Sequence, residues 1–309
     1  MNCLDCGLEY VSPTPSASEL AAHYKKNYAV SLEKYAASRN RNIARLVELE
    51  RWCPKRGRLL EVGSAYGHSL ELARNRGWEV TGVELSSEAA AYARQNFGLT
   101  VFDCDLTEAP LTSGVFDAVI MWHVLEHSRD PKEQLSRVAA LLKSDGIVGI
   151  RVPNISSFGA RVTGEWWPWM CPPAHLWFFS STTLPRLLRD CGFEVMEVRT
   201  LRGDGNNLYQ YALIWSGSQL NKLRHIVHSR EQRERPTGED EPAKQIGSPM
   251  SPASSKPSPP SGVMGHWLRI LTRAQPFTNA LARGTRPLLE PLERRGWGDE
   301  LLVYARRID

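Results

Sequence analysis

Two stretches decide the fold of this chain. Arg58–His68 reads RLLEVGSAYGH, and Val80–Leu85, further along, reads VTGVEL. Each contains a short apolar run that ends in a carboxylate, and a helix-like segment separates the two runs. This pattern predicts a β-α-β unit with two parallel strands. Both carboxylates then lie at the carboxyl ends of neighbouring strands, where open α/β sheets bind ligands.

The turn after the first run predicts close approach of a ligand to the backbone. Gly63 and Gly67 remove side chains where the chain must turn tightly. Glu84 offers two acceptor oxygens, which suits the two hydroxyls of a ribose. A dinucleotide turn needs the pattern G-x-G-x-x-G. Here Ala65 lies between Gly63 and Gly67, and position 70, three residues after Gly67, is not glycine. Glu61, just before the turn, repels phosphate and suits a cationic ligand, so the turn favours S-adenosylmethionine over a nicotinamide dinucleotide.

Three further segments follow in order. Val101–Leu106 reads VFDCDL, Gly114–His127 reads GVFDAVIMWHVLEH, and Pro173–Ser180 reads PAHLWFFS. The second is almost continuously apolar before its polar exit, which is typical of a central parallel strand. With these segments in this order, the chain from Arg58 to Val198 resembles the class I S-adenosylmethionine-dependent methyltransferases. It is most similar to the broad bacterial small-molecule group that is related to the ubiquinone-biosynthesis type.

The resemblance implies an α/β, Rossmann-like fold. The expected sheet has seven mostly parallel strands, an antiparallel last strand and helices on both faces. Gly298–Arg306 resembles the last strand of the family, and we expect it to pair at the edge of the sheet. Deleting the chain after Ser229 should therefore destabilise the domain.

The resemblance also implies the cofactor contacts. Ala65 stands where the family has the middle glycine of its turn. Asp105 is expected to contact the adenine amino group, with Asp103 as the alternative, and Leu106 to pack on the ring. The full set of predicted cofactor-binding residues is Glu61, Gly63, Ser64, Ala65, Gly67, Glu84, Leu85, Asp105, Leu106, Trp122 and His123.

Methyl transfer to a hydroxyl calls for a general base, which is most often histidine. The candidates are His175, His123 and His127, and a reaction without a side-chain base is the alternative. The predicted acceptor contacts are Trp166, Trp167, Trp169 and Asn154. The tryptophans fit equally well as a lid over the core.

The ends of the chain differ in composition from its middle. Cys3 and Cys6 form half of a zinc knuckle, whereas structural zinc needs four ligands, so free cysteines capping a short hairpin are the alternative to bound zinc. The segment at 229–262 is charged and then rich in proline and serine, which predicts disorder. The predicted regions are a half-knuckle or hairpin at 1–15, a helical lid at 16–51, the methyltransferase core at 52–228, the linker insertion at 229–262, and basic amphipathic helices with the final strand at 263–309.

Composition restricts the remaining functions. The 309 residues carry a net charge of +4, and the six cysteines are scattered. The first residues show neither a basic nor an apolar signal region, so we expect a cytoplasmic protein. The basic segment 265–295 predicts either contact with a membrane surface or packing on the domain. No concentrated basic patch with interleaved aromatic residues predicts nucleic-acid binding, and the oligomeric state is open.

The resemblance favours a small-molecule or glycan-linked acceptor. A sugar hydroxyl in surface-polysaccharide or modified-sugar synthesis is the preferred acceptor, by analogy alone. An aromatic, quinone-type or natural-product acceptor is the alternative. A non-catalytic nucleotide-binding protein with the same fold is the hypothesis of another class.

Overall fold

A computed structural model describes residues 1–16, 18–20, 32, 38–202, 291 and 294–308. The strands are β1 (Glu9–Tyr10), β2 (Arg58–Val62), β3 (Glu79–Val83), β4 (Thr100–Phe102), β5 (Phe116–Trp122), β6 (Leu142–Pro153), β7 (Trp177–Phe178), β8 (Phe193–Leu201) and β9 (Glu300–Arg307). The α-helices are α1 (Arg39–Trp52), α2 (His68–Asn75), α3 (Ser87–Phe97), α4 (Pro131–Leu141), α5 (Phe158–Thr163) and α6 (Thr183–Asp190). Short 3₁₀ turns lie at Leu125–His127 and Gly164–Trp166.

Seven strands form one sheet in the order β4-β3-β2-β5-β6-β9-β8. Neighbours from β4 to β6 are parallel, whereas β9 is antiparallel to both β6 and β8. The predicted Rossmann-like sheet and its antiparallel last strand are confirmed. The predicted edge position of that strand is wrong, because β9 lies between β6 and β8. The first six residues of β9 are buried, and such a strand is stable only when it has partners on both sides.

The sheet is covered on both faces. Val119 of β5 belongs to a hydrophobic cluster with Leu135 of α4 and Leu188 of α6. Its neighbour Ile120 belongs to a second cluster, with Leu49 of α1 and residues of α2. Successive side chains of a strand point to opposite faces. Alternate side chains of β5 therefore contribute to two hydrophobic cores, one on each face of the sheet.

Local signals set the helix boundaries. The Asp130 carboxylate caps α4 by accepting the backbone N–H groups of Lys132 and Glu133, and Pro131 occupies the first turn. The helix therefore begins earlier than the apolar pattern alone predicts. Ser86 caps α3, which ends at Gly98 with φ of 60°.

The N-terminal segment pairs with strand β7 in a small second sheet. Glu9 of β1 lies opposite Phe178 of β7, and Tyr10 lies opposite Trp177, in antiparallel register. The rings of Tyr10 and Trp177 are 5.8 Å apart. The N-terminal segment predicted as a hairpin therefore packs against the Pro173–Ser180 segment through strand pairing and a contact between aromatic rings.

Several predicted regions fall on residues that the structure does not describe. These are most of the expected lid (21–31 and 33–37, with Tyr24, Tyr28 and Tyr35), the linker at 229–262, and the basic helices up to position 290. The second half of the expected lid segment is helix α1, which packs on the sheet through Leu46 and Leu49. Within the described ranges, no helix has the length and apolarity needed to cross a membrane.

Candidate active site

The turn after β2 brings the backbone of two neighbouring strands close together. The N–H groups of Gly63 and Ser64 donate to the carbonyl of Val83, at 2.8 and 3.2 Å. Gly63 has φ of 72°, and a Cβ atom there would lie 2.5 Å from Val124 Cγ2. Ala65, in place of the family glycine, also adopts a left-handed conformation with φ of 47°, at a cost of roughly 1 kcal/mol. The turn thus requires glycine at position 63 and tolerates the alanine methyl.

Glu84 ties the turn to the end of β3. Its Oε2 atom accepts the N–H of Ala65, and its Oε1 atom accepts the N–H of Ser86, both at 2.8 Å. Burial raises the pKa of this carboxyl, and the backbone N–H groups oppose the rise. Each oxygen of a carboxylate has a further lone pair. Glu84 is therefore fixed in place while it keeps acceptor capacity for two hydroxyls.

Glu61 is buried beside the same turn. Its side chain is 4% exposed, and its Oε2 atom accepts no hydrogen bond from any residue that the structure describes. Burial raises the pKa of Glu61 to about 8, although Ser69 and the charge of Arg45 act against the rise. A buried carboxylate without a partner is costly. A cationic ligand group would supply that partner, so the turn fits S-adenosylmethionine, which carries an ammonium and a sulfonium.

The residues predicted at the adenine end divide into two groups. Asp105 is partly exposed, and its Oδ1 atom accepts from the backbone and hydroxyl of Thr107 at 2.9 and 2.7 Å. Leu85 is 67% exposed at the rim, next to Glu84. Leu106 is 1% exposed and packs in the main hydrophobic cluster, and its contact with the adenine ring stays a prediction.

Asp103 and Trp122, the other predicted residues of this set, each lie beside an arginine. Asp103, the alternative to Asp105, lies 3.6 Å from Arg94 Nη1 in an exposed ion pair. The guanidinium of Arg45 lies 5.8 Å from the ring of Trp122 at the end of β5. Arg45 also influences Glu61, so helix α1 reaches the cofactor turn.

A charged cluster follows β5 directly. His123, with φ of 57°, places Nδ1 3.3 Å from Glu126 Oε1 and Nε2 3.4 Å from Glu300 Oε2. Burial lowers the pKa of His123, but the two carboxylates outweigh burial and raise this pKa to about 9. Arg151 in turn pairs with Glu300. His123 is therefore an imidazolium at neutral pH rather than a ready base.

Sequence reasoning missed Glu300. It is a fully buried carboxylate at the start of the otherwise apolar strand β9. The signal that could have indicated Glu300 is the pair of acidic residues, Asp299 and Glu300, directly before the apolar run Leu301–Ala305. Its partners Arg151 and His123 lie 149 and 177 residues away in the chain, so no local pattern connects them.

The other two histidines lie together. His127 Nδ1 donates to the carbonyl of Ala174 at 2.7 Å, and His175 Nδ1 donates to the carbonyl of Trp169 at 2.8 Å. Their ring centroids are 4.7 Å apart. Burial lowers the pKa of His175 to about 4. The structure therefore gathers the three predicted histidines, since the ring of Trp169 stacks on both His123 and His175.

The predicted acceptor contacts differ in exposure. Trp166 and Trp169 are partly exposed, whereas Trp167 is buried in the interior. Asn154 is fully buried, and its Nδ2 atom donates to the carbonyl of Gly298 at 2.8 Å. Its Oδ1 atom accepts from the N–H of Ser156, so all of its polar groups hold the backbone. Asn154 and Trp167 are thus both buried in the described structure, and their role as substrate contacts stays a prediction.

The two N-terminal cysteines belong to the hairpin at the start of the chain. The N–H of Gly7 donates to the carbonyl of Cys3 at 2.9 Å, which closes a tight hairpin. Backbone N–H groups of Cys6 and Asp5 lower the pKa of the Cys3 thiol. Among the described residues, Cys3 and Cys6 belong to no group of three or more metal-ligating side chains. Their zinc site stays a prediction.

The cofactor turn and the histidine cluster adjoin each other. Val124 lies between His123 and Glu126 in sequence, and its side chain packs on the backbone of Gly63. Parallel strands β2 and β5 are neighbours, so their exits meet at one edge of the sheet. A donor held at the turn is thus next to the histidines.

Comparison with known protein families identifies the family of this chain. A family described as a methyltransferase domain matches residues 33–198, more than half of the 309 residues. The chain belongs to this methyltransferase family. The match covers helix α1, the cofactor turn and all three histidines of the methyltransferase site.

Individual relatives are distant. The methyltransferase chain is 27% identical over 136 residues to a probable S-adenosylmethionine-dependent methyltransferase of Mycobacterium tuberculosis, covering 44% of this chain and 48% of the relative. It is 26% identical over 204 residues to the ubiquinone biosynthesis O-methyltransferase of Azoarcus sp. (strain BH72), covering 62% of this chain and 85% of that protein. The chain thus spans about half the length of the mycobacterial relative.

A solved structure supports the fold. The crystal structure of a SAM dependent methyltransferase from Archaeoglobus fulgidus superposes on the methyltransferase chain with a TM-score of 0.51 at 19% identity. The superposition covers 89% of this chain and 97% of that one. At this level of identity the similarity concerns the architecture of the sheet and helices.

Proposed function

We propose that the protein transfers a methyl group from S-adenosylmethionine to a small-molecule or glycan-linked acceptor, with a sugar hydroxyl as the preferred acceptor. The observation that carries the proposal is the pair of buried carboxylates at the turn. Glu61 has an oxygen without a hydrogen-bond partner among the described residues, and Glu84 is locked by two backbone N–H groups. Glu61 suits a cation, and Glu84 suits two vicinal hydroxyls.

The chain's own residues hold the cofactor in a defined orientation. Glu84 accepts the ribose hydroxyls, Glu61 receives the ammonium group, and Asp105 faces the adenine end. Gly63 lets the backbone approach the ligand without a side chain. When bound, S-adenosylmethionine supplies a methyl group on a sulfonium, which is an excellent leaving group. Alignment of the acceptor therefore supplies much of the rate enhancement.

The histidine cluster is placed to orient the acceptor. His127 and His175 both donate from Nδ1 to backbone carbonyls, and in the tautomer with the proton on Nδ1 the lone pair is on Nε2. That tautomer accepts a hydrogen bond from a hydroxyl. Trp169, partly exposed and stacked on His123, offers an aromatic face beside it. Sugars and aromatic rings both bind to such a face.

A second acceptor class has support from the comparisons. The Azoarcus relative is a ubiquinone biosynthesis O-methyltransferase. An aromatic hydroxyl would use the same face of Trp169. The acceptor experiment therefore includes both classes.

Isothermal titration with S-adenosylhomocysteine tests the cofactor half of the proposal. We expect micromolar binding, loss of binding in Glu84→Ala, and none to NADH. An acceptor screen with radiolabelled S-adenosylmethionine then compares nucleotide sugars with catechols and quinols. Labelling of a sugar supports the preferred acceptor, and labelling of catechols alone contradicts it. Absence of binding to S-adenosylhomocysteine would instead favour a protein that keeps the fold without the donor.

A further inference from the structure

Three side chains after β5 and before β7 form a compact set of metal-ligating groups. Glu126, His127 and His175 each place a donor atom within 4.8 Å of the others. Glu126 and His175 are buried, and His127 is partly buried. The 3₁₀ turn after β5 supplies the first two, and the segment before β7 supplies the third. Tertiary structure alone brings them together.

The two imidazoles are oriented as metal-ligating histidines are. Such histidines donate one ring N–H to a carbonyl or carboxylate, which fixes the ring and leaves the other nitrogen to bind the ion. Here His127 Nδ1 donates to Ala174 O, and His175 Nδ1 donates to Trp169 O. The same hydrogen bond therefore sets both rings in the same tautomer.

The carboxylate supplies a second, independent observation. Glu126 is completely buried, yet neither of its oxygens accepts a hydrogen bond from the part of the chain that the structure describes. Its nearest cation is His123, whose Nδ1 atom is 3.3 Å from Oε1. Buried carboxylates are normally hydrogen-bonded or coordinate metals. An oxygen of Glu126 is thus available beside the two imidazoles.

We propose that Glu126, His127 and His175 bind a divalent first-row transition metal ion, of which Zn²⁺ is the test case. Two imidazoles and one carboxylate suit Zn²⁺, Mn²⁺ or Fe²⁺ better than Mg²⁺. Tetrahedral bonds of about 2.0–2.2 Å hold ligand atoms about 3.4 Å apart. The donor atoms of the three side chains lie within 4.8 Å of one another, so side-chain rotations would close the site. Three protein ligands leave a coordination position open.

The open position gives the ion a role in the proposed function. Val124, within the same turn, packs on Gly63 of the cofactor turn, so the ion would lie on the acceptor side of the donor site. With the ion bound to the two Nε2 atoms, an oxygen donor of the acceptor, such as a hydroxyl, would bind the ion at the open position instead of hydrogen-bonding to those nitrogens. This role rests on the proposed function, whereas the binding of the metal does not.

Metal titration of the full-length protein tests the site. Chelator-treated protein is titrated calorimetrically with Zn²⁺, and with Mn²⁺ and Mg²⁺ in parallel. Co²⁺ is added separately to record its visible absorption bands. We expect one Zn²⁺ per chain. We also expect Glu126→Gln and His175→Ala each to weaken binding at least about tenfold and to abolish the Co²⁺ bands.

Matched controls separate this site from the others. Cys3→Ser with Cys6→Ser removes the half-knuckle, and His68→Ala removes a histidine on α2; both variants should bind the ion as the wild type does. Circular dichroism checks that each variant folds. If Glu126→Gln fails to fold, His127→Asn replaces it. Wild-type protein that binds no transition metal overturns the proposal, as does binding that survives both ligand substitutions or is lost with the cysteines.

S-adenosylhomocysteine titration of the same samples keeps the two proposals apart. Binding of the nucleoside by metal-free protein, with no metal binding, rejects the metal site alone. Metal binding without binding of the nucleoside rejects the methyltransferase proposal and keeps the site. Stronger binding of Mg²⁺ than of Zn²⁺ contradicts the ligand chemistry argued above.

Discussion

The turn after β2 and the cluster of histidines and carboxylates after β5 are built in different ways. The turn uses residues between Arg58 and Ser86, and its decisive hydrogen bonds, such as Ala65 N to Glu84, join neighbours in one β-α-β unit. The cluster takes His123 and Glu126 from the exit of β5, His175 from the segment before β7, and Glu300 from β9. A local unit can form its site from a short pattern. A site assembled from three distant segments depends on the whole sheet.

The largest expected effect comes from removing the last strand. Truncation after Ser229 deletes β9, whose buried residues pair with both β6 and β8. We expect loss of the cooperative thermal transition, measured by circular dichroism. An internal deletion of 229–262, which keeps β9, is the control and should unfold cooperatively. A truncated chain with a wild-type transition would show that the cluster does not depend on the sheet.

The next largest effect is the loss of unfolding free energy when Glu300, the buried carboxylate at the start of β9, is removed. Glu300→Ala leaves Arg151 buried without its carboxylate, and breaking a buried pair of this kind costs roughly 3–5 kcal/mol of unfolding free energy. Urea denaturation measures it. Glu194→Ala, which removes an exposed partner of Arg306, should cost less than about 1 kcal/mol. Equal losses of unfolding free energy in the two variants would mean that the buried pair of Glu300 and Arg151 contributes no more to stability than the exposed pair of Glu194 and Arg306.

Cofactor affinity depends on Glu84. Its replacement by alanine removes two charge-assisted hydrogen bonds to the ligand, worth about 1.5 kcal/mol or more each, so affinity for S-adenosylhomocysteine should fall at least about 100-fold. Calorimetric titration measures the change. Glu79→Ala, at the start of strand β3 and with an exposed side chain, is the control and should bind normally. Unchanged affinity in Glu84→Ala would move the cofactor away from the turn.

The pH dependence of cofactor binding tests Glu61. Its pKa is raised to about 8 in the free protein, so it is mostly protonated at pH 6. A cationic ligand favours the ionised form, and binding then releases a proton, so affinity rises as pH rises toward 8. We expect a gain of at least about tenfold between pH 6 and pH 8. Glu61→Gln should give a flat profile, and a sloping profile in that variant would assign the dependence to another group.

The smallest effect lies within the turn itself. Ala65→Gly relieves a left-handed alanine, and because glycine also gains entropy in the unfolded chain, the net stabilisation should be less than about 1 kcal/mol. Thermal unfolding measures the change. Ala73→Gly, within helix α2, should destabilise by about 1 kcal/mol or more. Destabilisation by Ala65→Gly would show that the methyl group's packing outweighs the backbone strain.

Sequence reasoning succeeded where the residues of a feature are close in the chain. The strands around the turn, its two carboxylates and the helix between them follow from apolar periodicity and glycine placement. It does not separate binding residues from core residues at Leu106, Trp167 and Asn154, whose side chains are buried. The composition of these segments is compatible with a binding role, and burial alone assigns them to the interior.

The sequence by itself determined the β-α-β unit, the family and the residues of the cofactor turn, because these depend on local backbone preferences and on spacing of a few residues. Only the tertiary structure decided that β9 lies inside the sheet, that Glu300 pairs with His123, and that Glu126, His127 and His175 converge. Contacts between distant segments depend on how the sheet aligns its strands. That alignment is a property of the whole core rather than of any one stretch of chain.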